Sequence, residues 1–342
     1  MPGNVEVPAL KVAHFARRPA PGAFSLERVF HDVRAAMPPR VDVTEHQNRH
    51  LSQGILPRLK DAWSARQATR AVNHVLGDVH YLTYFLPRRR TILTVHDTVM
   101  VDRERGLKRL MLWIFWFWLP LRRCDWITAI SEESRLRLLA LVSIDPGRVR
   151  VIPDPVAPEF IAQPPSPRHG PFRLLHIGAK ANKNLERLVF ALDGLDVELS
   201  VIGQLSDFQK ELIKAHLPQN RVLCDLDDAD LQAEYARAEA LAFVSLDEGF
   251  GLPIVEAQAT GRPVLTSARA PMNEVAGYGA LLVDPENHVA IRDAVRRLAS
   301  DAALRASLVE RGFANVKRFS ASIVAAQYAE LYEIVAKEAA DV

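Results

Sequence analysis

From Lys11 to Ser267 the chain alternates between short β-rich runs and segments long enough to hold a helix. The runs are KVAHF, VDVTE, TILTV, WITAI and RVRVI, then RLLHIG, VELSVIG, RVLC, ALAFVS and PVLTS. Apolar strands separated by helix-length crossovers are what a parallel sheet covered on both faces requires, because each crossover helix hides one face of its strand from water. Between Pro153 and Pro171 the alternation is broken by seven prolines in nineteen residues, a density that stops helices and strands alike. The pattern therefore predicts an α/β protein of two doubly wound domains in tandem. The boundaries expected are 1–158 for an N-terminal domain, 159–171 for a proline-rich linker, 172–319 for a C-terminal domain and 320–342 for a C-terminal helix that can pack back on the N-terminal domain. That helix carries a periodic stripe at Ile323, Ala326, Gln327, Leu331 and Ile334.

Length agrees with two domains, each large enough for its own core, since the chain has 342 residues. With 49% hydrophobic and 25% charged residues it belongs to neither the disordered nor the fibrous classes. The net charge of +2 conceals two opposite halves: up to residue 170 there are 25 basic against 16 acidic residues, and beyond it 18 against 25. A basic half attracts anionic surfaces, whether nucleic acid, acidic lipid or phosphorylated substrates. Cys124 and Cys224 stand a hundred residues apart with no CxxC or Cys/His cluster, which predicts neither a disulfide framework nor a zinc site and fits a reducing cytoplasm. The N-terminal stretch lacks the apolar core of a signal peptide.

The segment EGFGLPIVEAQATGRPV, after the run ALAFVSLD, carries the most chemistry. Gly249 and Gly251 flank Phe250 at a strand-to-helix turn, and Pro253 falls in the first helical turn, where its missing N–H costs nothing. Such a helix presents unpaired amides from Leu252 onward, and its positive dipole end, to the ligand edge of the sheet, which suits a phosphate. Glu256 lies among small and apolar residues, where an unpaired carboxylate is costly, so it needs a partner; paired hydroxyls of a ribose or a sugar ring would serve. On these residues alone a plain turn with two solvated glutamates stands as the alternative reading.

Glu248 and Glu256, eight residues apart with GFGLP between them and GRPV after, resemble the E-x7-E motif of the family 4 glycosyltransferases. The resemblance extends to HIGAKANKNLERLV, DLDDADLQAEYARAEALAFVS and PMNEVAGYGALLVDP, and more weakly to TVHDTV, ITAISEES and VIPDPV in the first half. It implies the GT-B architecture, two Rossmann-like domains with a cleft between them, and a retaining transfer from a nucleotide diphosphate sugar. Carried over, Glu248 contacts hydroxyls of the transferred sugar, Glu256 holds the nucleotide ribose, and the amides around Gly249, Phe250, Gly251 and Leu252 face the sugar and the diphosphate. Lys183 neutralises the departing diphosphate in the loop that follows Gly178. Many members have an arginine directly after that glycine; here the position is Ala179, and Lys180 is expected to supply the second charge. His96 matches a histidine directed at the donor sugar near the reacting carbon, and Gly22 matches a glycine-rich loop near the phosphates.

The catalytic residues so implied are His96, Lys183 and Glu248. No metal and no cofactor is expected beyond the nucleotide sugar itself, and DLDDAD reads as the acidic first turn of a helix rather than a metal-binding DxD site. Ser131 reads as an N-cap with Glu132 and Glu133 in the first helical turn. The expected partners are a nucleotide sugar and a saccharide or lipid-linked saccharide acceptor in bacterial surface polysaccharide synthesis, with no nucleic acid. Two alternatives stay open: a nucleotide-sugar epimerase or sugar phosphorylase on the same fold, and a non-catalytic, membrane-associated assembly subunit.

KRLMLWIFWFWLPLRR, from Lys108 to Arg123, holds twelve consecutive apolar residues between basic pairs. As a helix those twelve residues span about 18 Å, short of the roughly 30 Å of bilayer hydrocarbon. Two expectations remain: a helix buried in the core, or an interfacial helix with Lys108, Arg109, Arg122 and Arg123 on acidic lipid at the inner face of the cytoplasmic membrane.

Overall fold

The computed structural model describes residues 8–19, 25–102, 104–164 and 170–341. The chain divides into two compact units, Met1–Pro155 together with Ala321–Val342, and Val156–Ser320.

The first unit is built on a six-stranded sheet of β1 (Leu10–Ala16), β2 (Val41–Gln47), β3 (Val72–Leu76), β4 (Thr91–Val95), β5 (Trp126–Ala129) and β6 (Val149–Val151), in the order β2-β1-β3-β4-β5-β6. Every neighbouring pair is parallel. Strands β3 and β4 are buried along their whole length, so neither face reads as alternating. Phe15, Val75, Leu93, Phe117 and Ile127 belong to the core on one side of this sheet. Against its other side lies the last helix, Ala321–Ala340. Its buried face is Val324, Ala325, Tyr328, Ala329, Leu331, Tyr332 and Val335, whereas Ile323 is exposed. Of the periodic stripe read from the sequence, Leu331 is buried, Gln327 and Ile334 are half-buried, and Ile323 and Ala326 are exposed. The face turns because the sheet beneath is polar: the Tyr332 hydroxyl bonds His14 Nε2 and His74 Nδ1, both at 2.8 Å, and His74 Nε2 pairs with Thr94 Oγ1 at 2.6 Å. Aromatic hydroxyls satisfy buried imidazoles that an aliphatic stripe would have orphaned.

The second unit carries β7 (Phe172–Ile177), β8 (Val197–Ile202), β9 (Asn220–Leu223), β10 (Ala240–Phe243), β11 (Val264–Ser267) and β12 (Ala280–Val283), all parallel, in the order β12-β11-β10-β7-β8-β9. From β7 the chain winds outward one way through β8 and β9, then returns to β10 and winds the other way, which is the dinucleotide-binding arrangement. Leu174, Leu188, Leu199, Val201, Ile291 and Leu298 are completely or almost completely buried between sheet and helices. The proline-rich stretch is bound to this unit through its described residues: Val156 N–H donates to Phe319 O at 2.8 Å, and Arg262 Nη2 donates to the carbonyls of Gln163 and Pro164 at 2.9 and 3.0 Å.

The tryptophan-rich run forms helical residues Gly106–Leu112, a π-helical turn Trp113–Trp118 and helical residues Leu119–Arg122. Pro120 supplies no amide, and the turn before it takes the wider bonding pattern. The segment is buried on one side and exposed on the other. Trp116, Phe117 and Leu121 are buried, while Leu107, Leu110, Met111 and Phe115 are exposed. Among the described residues no helix is long and apolar enough to cross a membrane.

Candidate active site

In a doubly wound sheet, loops leaving adjacent strands on opposite sides of the switch in winding direction diverge, and the crevice they open faces ligand. In the second unit those loops follow β7 and β10. The first runs from Gly178 to Asn184 and the second from Val244 to Gly251. Gly178 has φ +98°, and a Cβ there would lie 2.8 Å from Cγ and Cε of Lys183, so only glycine lets the lysine stem fold back over the strand end. The ammonium that results sits 4.6 Å from the Phe243 ring centroid and donates to Glu248 Oε1 at 2.7 Å. Asn182 Nδ2 donates to Asp247 O at 2.9 Å, and Leu246 N–H donates to Asn182 O at 2.8 Å, tying the two loops together. Gln209 Nε2 holds the Ala179 carbonyl at 2.8 Å from a neighbouring helix.

Lys183 and Glu248 retain 17% and 13% of their side-chain exposure, so the pair is largely desolvated yet still reachable. A charge-assisted bond of this kind is worth about 1.5–3 kcal/mol. Lys180 lies in the same loop, exposed, and makes no ion pair among the described residues. Asn184, left-handed at φ +62°, bonds the carbonyls of Val244 and Pro285 at 3.0 and 2.7 Å and closes the loop where the helix Leu185–Leu192 begins.

Beyond Glu248 the chain passes Gly249 and buries Phe250 against Phe319, centroids 5.5 Å apart and nearly perpendicular, an edge contact worth about 1 kcal/mol. Phe250 can therefore serve a ligand only through its backbone. Gly251, at φ +103°, turns the chain into the helix Leu252–Ala259 with Pro253 in its first turn. Glu256 stands one turn into that helix, half-buried, and accepts from the Tyr235 hydroxyl at 2.6 Å. Burial first, and then the nearby carboxylate, raise the Tyr235 pKa well above the usual phenol value, so the tyrosine remains a donor. Sequence reasoning demanded a partner for Glu256 but missed Tyr235, twenty-one residues upstream. The helix Asp228–Arg237 that carries it is capped by Asp227, whose carboxylate accepts from Asp230 N–H at 2.8 Å, as the acidic first turn required.

In the first unit His96 directly follows β4, half-buried, with Nε2 buried and without a hydrogen-bond partner among the described residues. Burial pulls its pKa to about 4, against the opposing pull of Asp78, so the ring is neutral near pH 7 and can donate or accept. Asp97 beside it is exposed. Ser131 caps the helix Glu132–Leu141, accepting from Ser134 N–H at 3.0 Å. Gly22 lies outside the described residues. Among the described residues no three His, Cys, Asp or Glu side chains cluster as metal ligands, and both cysteines are free thiols.

The family model described as Glycosyltransferase Family 4 matches residues 19–160, and that described as Glycosyl transferases group 1 matches residues 159–314. The O-antigen chain mannosyltransferase B of Escherichia coli is 26% identical over 305 residues, covering 81% of this chain and 77% of that protein. The MMP alpha-(1->4)-mannosyltransferase of Mycolicibacterium hassiacum is 28% identical, covering 71% and 64%. Among solved structures, sucrose-phosphate synthase from Thermosynechococcus elongatus superposes with a TM-score of 0.74 at 19% identity, covering 95% of this chain and 99% of that one. HepE of Anabaena, solved with UDP and glucose, gives 0.72 at 16%, covering 95% and 99%.

Proposed function

Because the chain belongs to the family 4 glycosyltransferases, with the GT-B fold, we propose that it moves a hexosyl unit from a nucleotide diphosphate sugar to a hydroxyl of a saccharide acceptor, with retention at the anomeric carbon. The observation that carries this reading is the Lys183–Glu248 pair, held over Gly178 at the edge where β7 and β10 part and followed at once by the free helix end at Gly251. One cation, one hydroxyl-binding carboxylate and a row of amides are what a sugar diphosphate presents partners for. Lys183 exchanges its bond to Glu248 for the phosphate, and Glu248 is released to the sugar hydroxyls. Glu256, already oriented by Tyr235, takes the ribose.

As the glycosidic bond to phosphate lengthens, negative charge grows on the diphosphate and positive charge on the ring. Lys183, Lys180 and the helix end meet the first, and in this reading they do so without a divalent cation. Neutral His96 meets the sugar as a hydrogen-bonding group rather than a charge. The names of the relatives, O-antigen and mannosyl transfer, support a polysaccharide pathway and make mannose the first sugar to try. A screen of mannose and glucose esters of nucleoside diphosphates, UDP-glucose among them, is expected to find one that raises the unfolding temperature and is slowly hydrolysed, with or without chelator. A sugar transferred to an acceptor with inverted configuration would reject retention. Conversion of the donor to an epimer without transfer would reject the transferase reading.

A lipid-linked acceptor and peripheral attachment to acidic membrane are the finer part of the proposal. Leu107, Met111 and Phe115 are exposed beside Lys108 and Arg109, and the helix Ile55–Gln67 exposes Ile55, Leu56, Leu59 and Trp63. Soluble surfaces rarely leave so many large apolar side chains together in water. Flotation with anionic liposomes, lost in Leu56→Asp and Met111→Asp, is the expected result; equal recovery with neutral liposomes would reject the electrostatic part.

A further inference from the structure

The carboxyl edge of the first sheet holds a second cavity, of about 820 Å³. Its walls include Arg17, which follows β1, and Asp78, which comes shortly after β3. Those are the strands between which this sheet reverses its winding, so the cavity occupies the place where a doubly wound sheet receives ligand. The volume is that of a small-molecule site. None of the donor residues of the second unit lines it.

Its chemistry is two-sided. The acid in its wall is already spent: Arg17 bonds both Asp78 and Glu27. Arg18 donates only to the carbonyl of Arg49, at 3.1 Å, and makes no ion pair among the described residues. Arg58 is held in place with no ion pair among the described residues: Nη2 donates to Ser52 O at 2.8 Å, the guanidinium lies 5.1 Å from the Trp116 ring centroid and 5.7 Å from that of Tyr81, and Nε is buried with no hydrogen-bond partner among the described residues. A guanidinium fixed by stacking with an N–H left over is prepared for an oxyanion, and phosphate matches its fork. The same cavity has an apolar lining of Leu107, Met111, Leu112 and Phe115, three of them about half exposed or more.

We propose that this cavity binds the phosphate-bearing head of the acceptor, a lipid phosphate, with Arg58 and Arg18 on its oxyanions and its hydrocarbon chain along Leu107, Met111 and Phe115. The proposal rests on the transferase reading with a lipid-linked acceptor, and makes Arg58 an acceptor-specificity residue. A bare saccharide would leave both the charge of Arg58, which has no ion pair among the described residues, and the apolar wall unused.

The probe is farnesyl diphosphate, titrated into the full chain by calorimetry with UDP saturating the donor site. Binding is expected in the presence of UDP, weakened roughly tenfold or more in Arg58→Ala and in Met111→Glu, and partly restored in Arg58→Lys, which returns the charge without the fork. Inorganic diphosphate and farnesol, each carrying half of the chemistry, are expected to bind at least about tenfold more weakly. UDP affinity unchanged in every variant certifies the fold. Farnesyl diphosphate that UDP displaces, or that Lys183→Ala abolishes, sits in the second unit and overturns the assignment. So does equal affinity in wild type and Arg58→Ala, or inorganic diphosphate binding as tightly as its ester. If UDP and nucleotide sugars fail to bind the wild type, it is the transferase reading that falls, whatever the cavity does.

Discussion

At Glu256 a single buried phenol decides how the carboxylate is presented. Tyr235→Phe removes the hydroxyl that donates to Glu256 Oε2 at 2.6 Å, with Pro253 O at 3.4 Å, while keeping the ring that packs on Phe160. Nucleotide affinity is expected to fall severalfold and stability by about 1–2 kcal/mol, whereas Glu256→Ala abolishes most of the affinity; calorimetry with UDP reads both. At Lys183 the expectation is different. Lys183→Ala leaves Glu248 half-buried without its cation and removes charge stabilisation of the leaving group, so turnover drops about 100-fold or more with a small change in donor KM. Equal losses in kcat and in affinity would instead make Lys183 a ground-state binding residue. Much of this site was legible because its chemistry is local: Glu248, Gly251 and Glu256 fall within one loop and one helix. Tyr235 and Arg58 were not, since a tyrosine and an arginine at helical spacing look the same whether they face solvent or orient a carboxylate.

Among the described strands, β3 and β12 escaped the sequence reading and the other ten did not. In β3, VNHVL, two polar residues interrupt the apolar run, yet both are buried: Asn73 Nδ2 reaches Arg70 and Arg90 carbonyls at 3.4 and 3.3 Å, and His74 reaches Tyr332, 258 residues away. Polarity reads as exposure when the partner that pays its desolvation is far along the chain. The same contact misplaced the stripe of the last helix, whose inward face is chosen by Tyr328 and Tyr332. Tyr332→Phe is expected to cost about 2–4 kcal/mol, because it strands two buried imidazole nitrogens at once. Thermal unfolding of the variant tests this; a loss below about 0.5 kcal/mol would mean that the histidines find other partners.

Across the whole molecule the buried histidines set the response to acid. In the first unit His74 and His96 have pKa values lowered to about 3 and about 4, chiefly by burial, and burial also lowers His14 and His80. Each folded imidazole then holds fewer protons than its unfolded counterpart as pH falls below about 6.5; for His74 and His96 the window runs down to about pH 4, and each of these two costs about 1.4 kcal/mol of stability per pH unit through it. Asp154, raised to about 7 by burial, works the other way. Burial also lowers His46, and takes His176 of the second unit to about 4, so six histidines stand against one carboxyl and the net sign is clear: stability is greatest above about pH 6.5 and declines below it. A midpoint of thermal unfolding that stays level from about pH 7 to 5 would contradict it.

The return of the last helix to the first sheet also orders events in time. Synthesis delivers β1 to β6 long before Tyr328 and Tyr332 exist, and the second unit, Val156–Ser320, emerges whole in between. The unit that begins the chain is thus the one that finishes last, with His14 and His74 waiting beneath an open face while the inserted unit folds. Nascent chains arrested after Ser320 should present a protease-resistant second unit and a first unit still open to cleavage, a reversal of the usual order in which N-terminal domains are secured first.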